Sequence, residues 1–293
     1  MKIAVTGANG QLGTDILKTF KELDVVGLTH ADIEITNRKC TRDVLFAINP
    51  SVIIHTAAFV RVDECEDEPD MAFRVNAIGT KNVAEVASEL NALLIYISTD
   101  YVFDGEKGAP YTEDDCPNPI NTYGITKLAG EYFAQLVDKW YVIRVASLFG
   151  TAGASGKGGN FIEAIFKQAA TNNRVDVVAD MMVSPTYTWE AAQVMSRMLK
   201  IGLPSGVYHL ANSGTCTWYD FAQHAFELAG TDVDLRAIAT ATLSQKAKRP
   251  CSSVLVSNKL SNYGLSLGDW ESALKHYLGE KRRLKGRKNK GRL

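Results

Sequence analysis

A short β-branched run, Lys2-Ile3-Ala4-Val5-Thr6, leads straight into Gly7-Ala8-Asn9-Gly10-Gln11-Leu12-Gly13, after which Leu12, Ile16, Leu17 and Phe20 recur at helical spacing. A buried strand that turns on glycines into an amphipathic helix opens a βαβ unit, and this restricts the chain to folds with a parallel sheet. The spacing is GxxGxxG. Gly7 permits the tight turn, Gly10 lets the backbone approach a pyrophosphate, and Gly13 lets the helix pack close to the strand. The helix start then offers free N–H groups and a positive dipole end to phosphate. A glycine turn that binds nothing is the simpler alternative, and the position at the first strand–helix junction argues against it.

Strand and helix signals alternate beyond this point. Apolar runs at 24–28, 51–56, 93–98 and 140–145 read as strands, with helices over 41–48, 71–90 and 123–136. The alternation predicts an α/β fold, a Rossmann doubly wound parallel sheet with helices on both faces. Residues 1–150 are expected to form the dinucleotide-binding domain, rejoined by a strand near 206–210. Residues 151–280 are expected to form mainly a smaller α/β lobe that binds substrate, and residues 281–293 a basic tail. The Gly/Ala/Ser/Thr-rich stretch 151–159 reads as a mobile loop.

Composition excludes several classes. Hydrophobic residues make up 46% and charged residues 22% of the 293, an ordinary globular balance. Residues 280–293 carry eight Lys/Arg and one acid, leaving 24 basic and 32 acidic residues in the body. An acidic body argues against nucleic acid as a partner, and the tail, without aromatics or an apolar face, reads as a solvated, frayed terminus. Cys40, Cys65, Cys116, Cys216 and Cys251 are scattered, with no CxxC pair, which speaks against disulfides or zinc. No apolar run is long enough to span a bilayer. A cytoplasmic protein without a membrane partner is the expectation.

Tyr123-Gly124-Ile125-Thr126-Lys127 is a YxxxK sequence. Residues four apart share a helix face, so Lys127 is expected near the Tyr123 phenol, lowering its pKa and fitting it to donate a proton to a developing alkoxide. Lys127 can also hold ribose hydroxyls. The turn Ser98-Thr99-Asp100-Tyr101 follows an apolar strand, at the edge where ligands bind in open α/β sheets. Ser98 or Thr99 there can polarise a carbonyl oxygen. The end of the second strand falls at Thr29-His30, without the acid that grips the ribose of NAD, which leans towards NADPH.

GANGQLG, SVIIHTAAF, FRVNAIGTKN, ISTDYVFDG and YGITK, in this order, with VVADMMVSPTYT, SGTCTWYDFA and Lys248-Arg249-Pro250 further on, resemble the extended short-chain dehydrogenases/reductases, in their dTDP-4-dehydrorhamnose reductase branch. The likeness covers residues 1–278 or so. It implies NAD(P)H-dependent reduction of the C4 ketone of dTDP-4-dehydro-L-rhamnose, with Thr99, Tyr123 and Lys127 as the catalytic trio. It places Gly7, Gly10, Gln11, Leu12 and Gly13 on the pyrophosphate. Glu34, where the family usually has aspartate, and Ile35 would flank the adenine. Ala57, Ala58 and Phe59 would line the cofactor through their backbone, and Asn76 and Ser98 would lie near the nicotinamide. Asp100 and Arg249 would meet the sugar nucleotide, Arg249 suiting the diphosphate by its fork. Homodimers are common in this fold. The chain departs from the family at Arg144–Gly150: Ser147 stands where the motif RTSWLYG has a tryptophan thought to contact the sugar, which leaves the sugar open.

Three other readings stand beside this one: a reductase for another nucleotide-linked keto sugar, an epimerase or dehydratase of the same fold, and a non-catalytic nucleotide-binding subunit resembling the regulatory one of methionine adenosyltransferase. The five histidines form no ligand pattern, and no metal site is read. The acidic run Asp63, Glu64, Glu66, Asp67 and Glu68 reads as a solvated loop and helix start.

Overall fold

The computed structural model describes residues 1–152 and 159–290. Five strands enter the sheet in order: β1 (Lys2–Thr6), β2 (Asp24–Leu28), β3 (Val52–His55), β4 (Leu93–Thr99) and β5 (Trp140–Val145), and Gly206–His209 adds a sixth. Their spatial order is β2-β1-β3-β4-β5 and then Gly206–His209, every pairing parallel. The order reverses direction between β1 and β3, so a crevice opens there beyond the C-terminal strand ends.

Pleating sends alternate side chains of each strand to opposite faces. On one face Ile3, Val5, Ile54 and Ile143 pack with Leu12 and Ile16 of helix Gln11–Thr19 and with Met195 and Met198 of helix Thr188–Ile201. On the other, Ala4, Ile53, Leu94, Tyr96 and Val142 pack with Val83, Val86 and Ala87 of helix Thr80–Glu89. Helix Thr188–Ile201 thus lies on the sheet, although it belongs to the chain's second half.

A separate core, with Phe149, Ile165, Val177, Tyr187, Phe221, Trp270 and Tyr277, fills the smaller lobe. Its helices are well delimited: Asn160 with Glu163, and Thr217 with Asp220, form capping boxes, and Asn173 and Gly230 end those helices in the left-handed region.

Three features differ from the sequence reading. The helix expected over 71–90 is broken by a π-helical turn, Arg74–Gly79, between Pro69–Phe73 and Thr80–Glu89. The basic tail is not frayed from residue 281, because helix Trp270–Lys290 continues into it as far as Lys290, with Lys281 paired to Glu163 and Arg282 donating to the Leu228 carbonyl. The loop expected over 151–159 lies, for residues 153–158, outside the described residues. No helix among the described residues is long and apolar enough to cross a membrane.

Candidate active site

The glycine turn is built as a cradle. Gly7 has φ 70°, and a Cβ there would lie 2.7 Å from the Ala57 nitrogen. A Cβ on Gly13 would lie 2.3 Å from the Gly7 carbonyl oxygen, so the helix can approach β1 only because this side chain is absent. Gly10 caps helix Gln11–Thr19 with no side-chain bond to its first N–H groups. Such groups have no intrahelical partner and favour an anion. Leu12 itself is core, so only its backbone serves the turn. Beside the cradle, Gln11 Oε1 is buried and unpaired, while its Nε2 reaches the Leu148 carbonyl. Backbone donors and an orphaned side-chain acceptor around a space that a Cβ would fill fit a dinucleotide's pyrophosphate and ribose.

The loop after β3 closes one side of this cradle. Ala57, Ala58 and Phe59 are half-buried, and Asn76, in the π-helical turn, clamps them: its Oδ1 accepts from the Phe59 N–H at 2.7 Å, and its Nδ2 donates to the Phe59 carbonyl at 3.0 Å. The same Nδ2 donates to Thr126 Oγ1 at 3.0 Å. The extra residue of a π turn re-aims a side chain, and here it aims Asn76 at this loop. Asn76 therefore organises the loop through both ends of its amide. Glu34 bonds its own loop through Thr36, and the Ile35 side chain is buried against Gly79, so a contact of Ile35 to adenine falls to its backbone.

Thr99 ends β4, and the turn Asp100–Val102 begins there. Its hydroxyl accepts from the Tyr101 N–H at 3.2 Å and donates to Asp100 Oδ1 at 3.0 Å. Ser253 donates to Asp100 Oδ2 at 2.5 Å. Burial raises the Asp100 carboxyl to about 6, against these two hydrogen bonds. Tyr123 is the second residue of helix Thr122–Ala134, whose first turn Asn121 caps. Its phenol meets Thr99, and its ring stands edge-on to Tyr101, with centroids 5.9 Å apart.

Two expectations are corrected here. Lys127 does not lower the Tyr123 pKa: burial pushes that phenol well above its ordinary value, so it is a held proton rather than a phenolate. The lysine stem instead runs under β4, where Nζ donates to the Ile97 carbonyl at 2.7 Å and lies 4.1 Å from the Tyr96 ring centroid. Burial lowers its pKa to about 7, and Glu131 opposes the shift. The Ser98 hydroxyl is engaged elsewhere than on a carbonyl substrate, donating to Glu131 Oε1 at 2.5 Å. Alternation along β4 explains this, because Thr99 and Ser98 must face opposite ways. Glu131 also binds Arg144 through both oxygens, at 2.9 and 2.8 Å, forming a fully buried ion pair.

Beyond Tyr101, Arg249 grips Asp63 bidentately, at 3.2 and 2.8 Å, and its charge lies beside the Tyr101 phenol. Ser147 is half-buried at φ 45°, a left-handed conformation unusual for serine. Sequence reasoning missed Asp63, Glu66, Tyr101, Glu131 and Ser253, because each acts through a partner distant in the chain. His55 and His209 are buried and held neutral, both lowered to about 3 by desolvation, as structural histidines are.

A family model described as the RmlD substrate binding domain matches residues 1–283. The chain belongs to that family. Its similarity to RmlD-family reductases extends over nearly all of it: the dTDP-4-dehydrorhamnose reductase of Mycolicibacterium smegmatis is 37% identical over 280 residues, 93% of this chain and 84% of that protein. A solved dTDP-4-dehydrorhamnose reductase from Clostridium acetobutylicum aligns with a TM-score of 0.91 at 38% identity, covering 96% of this chain and all of that one. The Bacillus anthracis enzyme of the same name, solved in complex with NADP, gives 0.90 at 36% identity, with 96% and 100% covered. The sheet order and both lobes described above are therefore those of an RmlD-family chain.

Proposed function

We propose that this chain is a dTDP-4-dehydrorhamnose reductase, reducing the C4 ketone of dTDP-4-dehydro-L-rhamnose to dTDP-L-rhamnose with NADPH or NADH. The observation that carries the reading is Thr99, at the C-terminal end of β4, beside Tyr123 at the start of its helix, in a chain with the cradle of Gly7 and Gly13. Residues 7–13 and the backbone of 57–59 would hold the dinucleotide, and Lys127 its ribose hydroxyls. A reduced nicotinamide, when bound, supplies a hydride to the ketone carbon. Tyr123 gives its proton to the oxygen as negative charge develops there, and the Thr99 hydroxyl steadies that oxygen. Arg249 holds the diphosphate and Asp100 the sugar. In this reading residues 1–150, with the strand Gly206–His209, form the cofactor domain, and the later lobe closes on substrate.

NADPH is favoured by the end of β2. Asp32 turns its carboxylate back onto Thr29, accepting from its N–H at 2.8 Å and its hydroxyl at 2.7 Å, and is thereby held away from the role of an acid gripping the ribose 2′-hydroxyl. The five cysteines form no disulfide, which supports a cytoplasmic enzyme. A homodimer is supported by Ile125, Tyr132 and Leu136, which leave one exposed apolar stripe.

Mass analysis of the sugar nucleotide after incubation with NADPH tests the reading: a gain of two hydrogens is expected, and unchanged mass with bound cofactor favours the regulatory-subunit reading. Ser147 favours one second reading, reduction of another nucleotide-linked keto sugar, because a serine leaves the sugar wall open where a tryptophan would close it.

A further inference from the structure

Four acids of the run read from sequence as a solvated surface, Asp63, Glu64, Glu66 and Asp67, are engaged along one short helix, Val62–Asp67. Glu64 accepts from Arg61. Asp67 accepts from Lys246 at 2.6 Å, and Asp63 accepts from the Ala247 N–H at 3.0 Å as well as from Arg249. These bonds fasten residues 246–249, separated from the helix by some 180 positions of chain, over the site. From the next turn of the same helix, Glu66 takes both the N–H and the hydroxyl of Thr122, at 2.8 and 2.6 Å. Thr122 is the first residue of the helix that carries Tyr123. A closed circuit results. It runs from Asp63 to Arg249, to Tyr101, to Tyr123 edge-on, to Thr122, and back through Glu66 to the same helix.

We propose that helix Val62–Asp67 is the gauge that sets the diphosphate-holding Arg249 against the proton donor Tyr123, with Asp63 the positioning residue for the first and Glu66 for the second. The inference rests on the reading of those two roles given above. Its physical basis is geometric. Asp63 engages the guanidinium end-on through both terminal nitrogens, which fixes the plane of the fork and leaves Nε–H for another acceptor. Glu66 satisfies a donor at a helix start, where no intrahelical partner exists, and so fixes where that helix begins. Misplacement by about 1 Å at either end costs rate or affinity steeply.

The test measures, on the full chain, dTDP affinity by calorimetry and turnover of the keto sugar by NADPH oxidation. Asp63→Asn is expected to weaken dTDP binding about tenfold with kcat within about twofold, and Asp63→Glu to restore part of the loss. Glu66→Gln is expected to lower kcat about tenfold with dTDP affinity within about twofold. Tighter dTDP binding by Asp63→Asn would mean that Asp63 merely repels the anion, and would overturn the proposal. So would parallel losses of kcat and affinity in both variants, or no binding of dTDP by the wild type. If the wild type binds dTDP but reduces no keto sugar, the reductase reading fails and with it the proton-donor role of Tyr123, while the Asp63 arm still decides the positioning of Arg249.

Discussion

Lys127 donates its ammonium to the Ile97 carbonyl, 2.7 Å away, and so is tied to the last turn-ward stretch of β4 rather than to the tyrosine four residues before it. Burial lowers this lysine from 10.5 to about 7. The unfolded chain therefore binds a proton that the folded chain releases between those values, and stability rises with pH across the window from 7 to 10.5. The cost of the buried charge is fully present below pH 7. Lys127→Met in cofactor-free protein is expected to raise the melting temperature most below pH 7, with the gain fading as pH climbs to 10.5. Thermal melts of both proteins across this range check it, and a pH-independent difference contradicts it.

Tyr123 keeps its proton at neutral pH because its phenol is pushed up by burial. Removing the hydroxyl leaves the ring contact with Tyr101 in place. Tyr123→Phe is expected to lower kcat by about 100- to 10,000-fold, the usual range for a general acid, with an unchanged circular dichroism spectrum. Thr99→Val should lower kcat while sparing cofactor affinity, since its hydroxyl serves the Asp100 turn and the reacting oxygen. An equal loss of NADPH affinity, read by fluorescence titration, counts against that placement.

Gly13 is the tightest point of the cradle. A methyl group 2.3 Å from the Gly7 oxygen must displace the helix start from β1. Overpacking of this kind costs about 1–3 kcal/mol. Gly13→Ala is therefore expected to weaken NADPH binding by about 5- to 100-fold, measured by fluorescence titration. Unchanged affinity would show that the cradle does not hold the dinucleotide.

Glu131 and Arg144 form a buried pair that Ser98 completes. Glu131→Ala leaves a guanidinium buried without its carboxylate, which costs about 3–5 kcal/mol. Urea unfolding measures this, and a loss below about 1 kcal/mol would mean that water reaches Arg144.

The parallel sheet and the glycine cradle were legible because each rests on local signals: β-branched runs, helical spacing and glycines at a strand–helix junction. That Tyr123 and Thr99 lie close together was legible by order along the chain and by resemblance. The direction of Lys127 was not, because the i, i+4 rule gives a shared face but not the pull of the Ile97 carbonyl under β4. The partner of the Ser98 hydroxyl was not legible, because Glu131 arrives 33 residues later. The acidic run misled for the same reason: its partners, Thr122 and residues 246–249, arrive from distant sequence. The π-helical turn carries no periodicity of its own, and it interrupts an otherwise continuous helical pattern.

The most direct test of the central claim is nicotinamide absorbance with dTDP-4-dehydro-L-rhamnose, NADPH and NADH being run in parallel and Tyr123→Phe as the control. The account predicts oxidation of one cofactor per ketone reduced, faster with NADPH, and loss of that signal in the control. If both cofactors bind the wild type and neither is consumed, or if Tyr123→Phe turns over as fast as the wild type, the account is contradicted.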